Sequence, residues 1–119
     1  MMKMKSIINY NKWDIILVPF PFTNLKTTKK RPELIISPEE YNNNLDVVIA
    51  FITSKFDLIH KFGDYKIANW MEADLPKPSM IRMKFATIDK SIILKKLGKL
   101  TEKDQQNFEQ LLIKFFSKK

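Results

Sequence analysis

"DIILVPFPFTNLKTTKKRPELIIS", residues 14–37, decides how this chain folds. It begins and ends on β-branched, aliphatic runs, and the connector between them has no apolar period. Pro19 and Pro21 lack the N–H that a central strand donates to its neighbour, so the first run reads as a strand that ends at, or follows, a sheet edge. "ELIIS" opens the second strand. The connector "TNLKTTKKRP" is long enough to be functional, and it closes on three consecutive cations, Lys29, Lys30 and Arg31. Lysines there are ordinary solvated loop charge. Arg31, held at the mouth of a strand by Pro32, has a fixed direction in which to point.

Working outward, "VVIAFITS" (47–54) is continuously apolar, as expected of a strand buried on both faces, and it ends in two hydroxyls, Thr53 and Ser54. "SPEEYNNNLD" before it is turn-like. "FGDYKI" suggests a short strand and "ANWMEADL" a single helical turn stopped by "PKP". Strand character returns in "SMIRMKFATI" and "SIILKKLG". The last element is a helix: Thr101 can cap it, Asp104 follows three residues on, and Phe108, Leu111, Leu112, Phe115 and Phe116 share one face. Lys114, Lys118 and Lys119 suit its carboxyl end. Short strands with long loops and one terminal helix predict a mainly β protein, a small, strongly bent barrel with a helix on it. One domain over residues 1–119 is expected, with residues 1–12 a short tail.

Lys and Arg number 21 against 13 Asp and Glu, a formal charge of +8 that attracts polyanions such as nucleic acid, an anionic membrane or an acidic protein. The absence of cysteine excludes disulfides, thiolate zinc sites and a Cys nucleophile, and fits a reducing cytoplasm. The opening has no secretory h-region, and no segment is long and apolar enough to span a bilayer, so a cytoplasmic location is expected. With His60 as the one histidine, read as a partly solvated loop residue, neither a His pair nor a Ser-His-Asp arrangement is available. Gly63 and Gly98 cannot build a phosphate-binding loop.

Asp64 and Lys66 of "GDYK" mimic the acid-x-lysine end of a magnesium-dependent nuclease site, with Asp57 or Glu40 as a further ligand, but such pairs are common by chance. What remains is a set of strand-end polar groups: Arg31, Thr53, Ser54, and Arg82 within "SMIRMK". Their bland reading is that the hydroxyls satisfy a turn and Arg82 forms a structural ion pair.

The order of "WDIILVPFPFTNLKTTKKRPELIIS", "VVIAFITS", "PKPSMIRM" and "ATIDKS" resembles the MazF/PemK toxins, over about residues 13–119. The resemblance implies an SH3-like barrel with a C-terminal helix that acts as a homodimer. It also implies a cofactor-free endoribonuclease of a type II toxin-antitoxin module that cuts single-stranded mRNA and is countered by an acidic antitoxin. Matched residue by residue, the arginine of the R-P motif falls on Arg31, the Thr-Ser pair on Thr53 and Ser54, and the arginine after K-P-S on Arg82. The resemblance makes Arg31, Thr53 and Arg82 catalytic, and Asn24, Thr28, Lys29, Lys30, Ser54 and Lys84 RNA contacts. The implied reaction is attack by the RNA 2′-hydroxyl on the adjacent phosphorus, leaving a cyclic phosphate and a 5′-hydroxyl.

Two positions depart from the family pattern. Trp13 stands before Asp14 where a glycine is usual, and Lys84 occupies a position where some branches place an aspartate as a proposed base. The second departure keeps an alternative in play: a binding protein on the same barrel without RNase activity, either a gyrase-poisoning toxin or an inactive RNA-binding descendant.

Overall fold

Both aliphatic runs of the opening stretch become neighbouring strands of one curled, six-stranded antiparallel sheet. The computed structural model describes residues 8–20, 29–56 and 62–117. In chain order these form β1 (Asp14–Pro19), β2 (Lys30–Ile35), a four-residue helix α1 (Glu39–Asn42), β3 (Asp46–Thr53), β4 (Tyr65–Lys66), β5 (Met80–Asp89), β6 (Lys95–Lys99) and α2 (Glu102–Ser117). The strand order is β4-β5-β3-β2-β1-β6. The mainly β expectation with a C-terminal helix holds. Pro21, Asn24, Thr28, Asp57, His60, Lys118 and Lys119 lie outside the described residues.

Three segments differ from expectation. β2 begins at Lys30, so Pro32 sits inside the strand rather than ahead of it, and Arg31 is a strand residue opposite Val18. "SPEEYNNNLD" contains α1, whose buried Asn42 donates to the carbonyls of Tyr10 and Ser37 and so ties down part of the stretch read as a tail. In "SIILKKLG" a 3-10 turn over Lys90–Ile92 comes first and β6 only from Lys95. "ANWMEADL" does hold a helical turn, with the Ala73 N–H donating to the Asn69 carbonyl at 3.2 Å.

The continuous apolar runs are explained by two cores, one on each face of the sheet. Ile15, Leu34, Ala50 and Ile52 point to the first, with Trp13 and Phe108, while Ile16, Ile35, Val47 and Ile49 point to the second, closed over by Tyr10, Ile92 and Ile93. Successive side chains on a strand face opposite ways, so a strand buried on both sides has no polar alternation to show.

Helix α2 covers the first core. The Thr101 hydroxyl accepts the Asp104 N–H at 3.5 Å, a long cap contact, and the Thr101 carbonyl accepts the Gln105 N–H at 2.9 Å. Asp104 itself turns inward and is fully buried. Its carboxylate accepts the Tyr65 O–H at 2.5 Å and the Ala68 and Asn69 N–H groups at 2.9 Å each. Burial, together with that acceptor, pushes the Tyr65 phenol up to about 12. Phe108 is wholly buried, edge-on to Trp13 at 6.2 Å.

Trp13 takes φ 79°, the left-handed region that costs a non-glycine residue roughly 1–2 kcal/mol. Its surroundings hold it there: its N–H donates to the Ile35 carbonyl at 2.7 Å, its carbonyl accepts the Leu100 N–H at 3.0 Å, and the residue is 7% exposed. Among the described residues no helix is long and apolar enough to cross a membrane.

Candidate active site

Strand register brings the singled-out residues to one place. Glu33 on β2 pairs with Phe51 on β3 as the last pair of that ladder, and two residues beyond it on each strand come Arg31 and Thr53, which line the same hollows. On the other side of β3, Ala50 pairs with Phe85 but Ile52 pairs with Ile81. Arg82, Met83 and Lys84 therefore oppose a single residue, Phe51. Such a bulge bends its strand and re-aims side chains, and bulges collect beside active sites. Here the outcome is a cleft of about 820 Å³ whose wall carries Arg31, Thr53, Arg82 and Lys84.

Most of these polar groups have a partner that orients them. The Arg31 guanidinium lies over the Phe20 ring at 4.4 Å, Phe20 meets Phe51 edge-on at 6.3 Å, and Lys84 Nζ sits 5.2 Å from the Phe51 centroid. Two cations are thus stacked on two touching rings, an arrangement that fixes direction without neutralising charge. Arg82 Nη2 is 3.4 Å from Oδ2 of Asp64, whose side chain is 1% exposed. Gly63, at φ +88°, makes the turn that delivers Asp64, and a Cβ there would come within 2.6 Å of Met83 Cγ. The Thr53 hydroxyl accepts the Lys55 N–H at 3.2 Å and can still donate its proton.

A second recess of about 250 Å³ lies behind Arg31 and Thr53, which line both hollows, and it adds Lys30, Ser54, Lys55 and Lys77. Below this wall Glu33 is fully buried. Its Oε1 accepts the Ile52 N–H at 2.8 Å, while Oε2 is buried with no hydrogen-bond partner among the described residues. Burial pushes the Glu33 carboxyl up to about 8, against the smaller opposing pull of the Ile52 N–H and the Arg31 charge.

Of the residues singled out in the sequence, Arg31, Thr53, Arg82 and Lys84 meet in the cleft, and Lys30 and Ser54 line the recess. Lys29 lines neither; it is exposed, and its carbonyl accepts the Phe20 N–H at 3.0 Å. Asn24 and Thr28 lie outside the described residues. The bland features are present too, since Arg82 has its ion pair and Thr53 its turn bond, but both occur inside the cleft. The magnesium reading finds no support: Asp64 is engaged with Arg82, Lys66 sits 5.7 Å from the Phe56 ring centroid, and no group of three potential ligands occurs among the described residues. Sequence reasoning missed Phe20, Phe51 and Glu33. A charge inside the aliphatic run "ELII" was the available signal for the last.

Over residues 11–116 the chain matches the model of the PemK-like, MazF-like toxins of type II toxin-antitoxin systems. It belongs to that family. Solved structures of similar fold include an endoribonuclease from a mycobacterial species in complex with its cognate antitoxin, at 14% identity and TM-score 0.72, covering 92% of this chain and 95% of the other. A second mycobacterial endoribonuclease gives 15% identity and TM-score 0.70, with 94% and 95% covered. The Mycobacterium tuberculosis toxin MazF-mt6 gives 19% and 0.67, with 87% and 95% covered. No curated protein matches the chain. At these identities the similarity extends to fold, and the PemK/MazF-like cleft must be argued from its own side chains.

Proposed function

We propose that this PemK/MazF-like toxin is an endoribonuclease that cuts single-stranded RNA by 2′-hydroxyl attack, acts as a homodimer, and is silenced by an acidic antitoxin lying in the same cleft. The observation that carries the reading is the convergence of Arg31, Thr53 and Arg82, from three strands, on one cationic cleft. The scissile phosphate sits between the two guanidinium groups, which bind its nonbridging oxygens in forked, charge-assisted hydrogen bonds. Thr53 donates its hydroxyl proton to the same charge as it grows in the phosphorane. The 2′-hydroxyl gives its proton to Asp64, the carboxylate that lines the cleft where Lys84 replaces the acid of some family branches. The departing 5′-oxygen takes a hydrogen bond from Arg31 and its proton from water, and the hydroxide left behind takes back the proton that Asp64 accepted. Lys84 and Lys30 hold flanking phosphates. The formal charge of +8 supports both partners, RNA and an acidic antitoxin, and the mycobacterial neighbour solved with its antitoxin supports the second. Leu45 and Leu94, 75% and 50% exposed, are apolar surface available to a second copy.

Digestion of a long RNA in EDTA, with the cleavage ends mapped, tests this reading. Cyclic-phosphate and 5′-hydroxyl ends are expected. Arg31→Ala and Asp64→Asn should each lower the rate by about 10²-fold or more with circular dichroism unchanged. Full activity in Arg31→Ala would remove Arg31 from the mechanism. Growth arrest with intact RNA and damaged DNA would point instead to a gyrase poison.

A further inference from the structure

Pro32 interrupts the β2–β3 ladder at the position where the candidate site begins. The Ile36 N–H donates to the Val48 carbonyl at 2.9 Å, and hydrogen-bonded pairs of an antiparallel ladder recur every second residue. The same register makes Leu34 and Ala50 such a pair, and Pro32 and Ile52 the next. Pro32 has no N–H to give to Ile52. Pairing between the strands stops at Glu33 and Phe51, and the 250 Å³ recess opens there with Pro32, Ile52 and Thr53 in its wall. The bond lost directly is the one to the Ile52 carbonyl. Because the pairing ends one residue earlier, the Pro32 carbonyl is not brought into register as acceptor for the buried Ile52 N–H either, and that donor, beside the residue on which the site depends, needs another partner. Glu33 fills the gap from its own side chain: Oε1 takes the Ile52 N–H at 2.8 Å, across 19 positions of sequence.

An aliphatic residue at position 33 would continue the run Leu34, Ile35, Ile36 and would bring no desolvation cost. A fully buried carboxyl with one oxygen unpartnered among the described residues is expensive, and expense of this kind concentrates at functional sites. Resting on the endoribonuclease reading above, we propose that Glu33 is a positioning residue: it clamps the Ile52 amide across the break that Pro32 makes and so holds Thr53, in the hollows it shares with Arg31, in reacting geometry.

The charged groups around Glu33 are few. Arg31 is two residues away on the same face of β2. On β1 the residue opposite is Ile16, and that strand's carboxylate, Asp14, is 3.1 Å from Lys96 and 4.0 Å from Lys99. On the far side of Phe51 stand Arg82 and Lys84 of β5, with Asp64 held to Arg82.

The test uses full-length chain, two variants and two readouts. Glu33→Gln keeps an oxygen for the Ile52 N–H and removes the titration; Glu33→Leu keeps the volume and removes the acceptor. In single-turnover RNA cleavage, Glu33→Leu should lose about 10²-fold in rate at saturating RNA while half-saturation stays within about 2-fold, because a displaced Thr53 costs chemistry rather than binding. Glu33→Gln should restore the rate at pH 7 and keep it above pH 8, where the wild-type rate changes as Glu33 ionises. The second readout needs no activity: the Ile52 and Thr53 amide resonances should shift with pH through the Glu33 titration in wild type and stay still in Glu33→Gln. Wild-type rate in Glu33→Leu, or amides that do not titrate, would overturn the clamp. A wild-type chain that cuts no RNA would defeat the endoribonuclease reading, while the amide titration would still decide whether Glu33 holds this strand end.

Discussion

Arg31 and Glu33 share a face of β2, yet one lines the cleft as a charge while the other is fully buried, with one oxygen on a backbone amide of the next strand. The consequence is measurable at this scale through pH. The Glu33 carboxyl titrates near 8 in the folded chain against an ordinary 4.5. Between those values the folded chain keeps a proton that the unfolded chain has released, so stability is greatest below pH 4.5 and falls as pH rises through about 8. The slope from this group is at most about 1.4 kcal/mol per pH unit. Urea denaturation from pH 5 to 9 should show the decline in wild type and a flatter profile in Glu33→Gln.

At the scale of elements, the sheet order and the terminal helix followed from patterns that a sequence displays, namely aliphatic runs and a 3.6-residue period. The bulge at Arg82–Lys84 did not, because it exists only as a mismatch of count between β5 and β3. Neither strand alone records it. The same holds for α2: its cap at Thr101 was foreseeable, whereas the inward turn of Asp104 toward Tyr65, Ala68 and Asn69 depends on where the loop after β4 comes to rest. That carboxylate joins the helix to the β4 edge of the sheet. Asp104→Ala should leave two hydroxyls, those of Tyr65 and Thr101, and two N–H groups without their acceptor and destabilise the fold by about 3 kcal/mol, read as a lower midpoint in chemical denaturation. The same variant should bring the Tyr65 phenol down from about 12, seen as earlier ionisation in a spectrophotometric titration.

For the whole molecule, charge and shape separate what total composition merges. The charge of +8 was visible from the outset, but composition does not say which cations face a common ligand. Lys30, Arg31, Lys55 and Lys77 border one hollow, and Arg31, Arg82 and Lys84 the other. Lys29 stands apart from both. Replacing Lys29 and Lys30 with alanine should weaken RNA binding without altering the cleavage rate of bound RNA. It should also flatten the salt dependence of binding, by up to about one unit of slope for each phosphate that is no longer neutralised. An unchanged slope would mean that neither lysine meets a phosphate.

Trp13, strained at φ 79° and edge-on to Phe108, has an optical consequence. The chain has two tryptophans, and the other, Trp70, packs against the same helix-covered core. Tyr10 is the aromatic packed against the opposite core. Indole fluorescence is therefore a one-sided gauge: its wavelength reports whether water has reached the seam between α2 and the sheet and is silent about the far side. In a denaturation experiment, indole emission that changes together with the part of the tyrosine absorbance removed by Tyr10→Phe would show that the two halves of this small sheet come apart as one, and a lag between them would show which half lets go first.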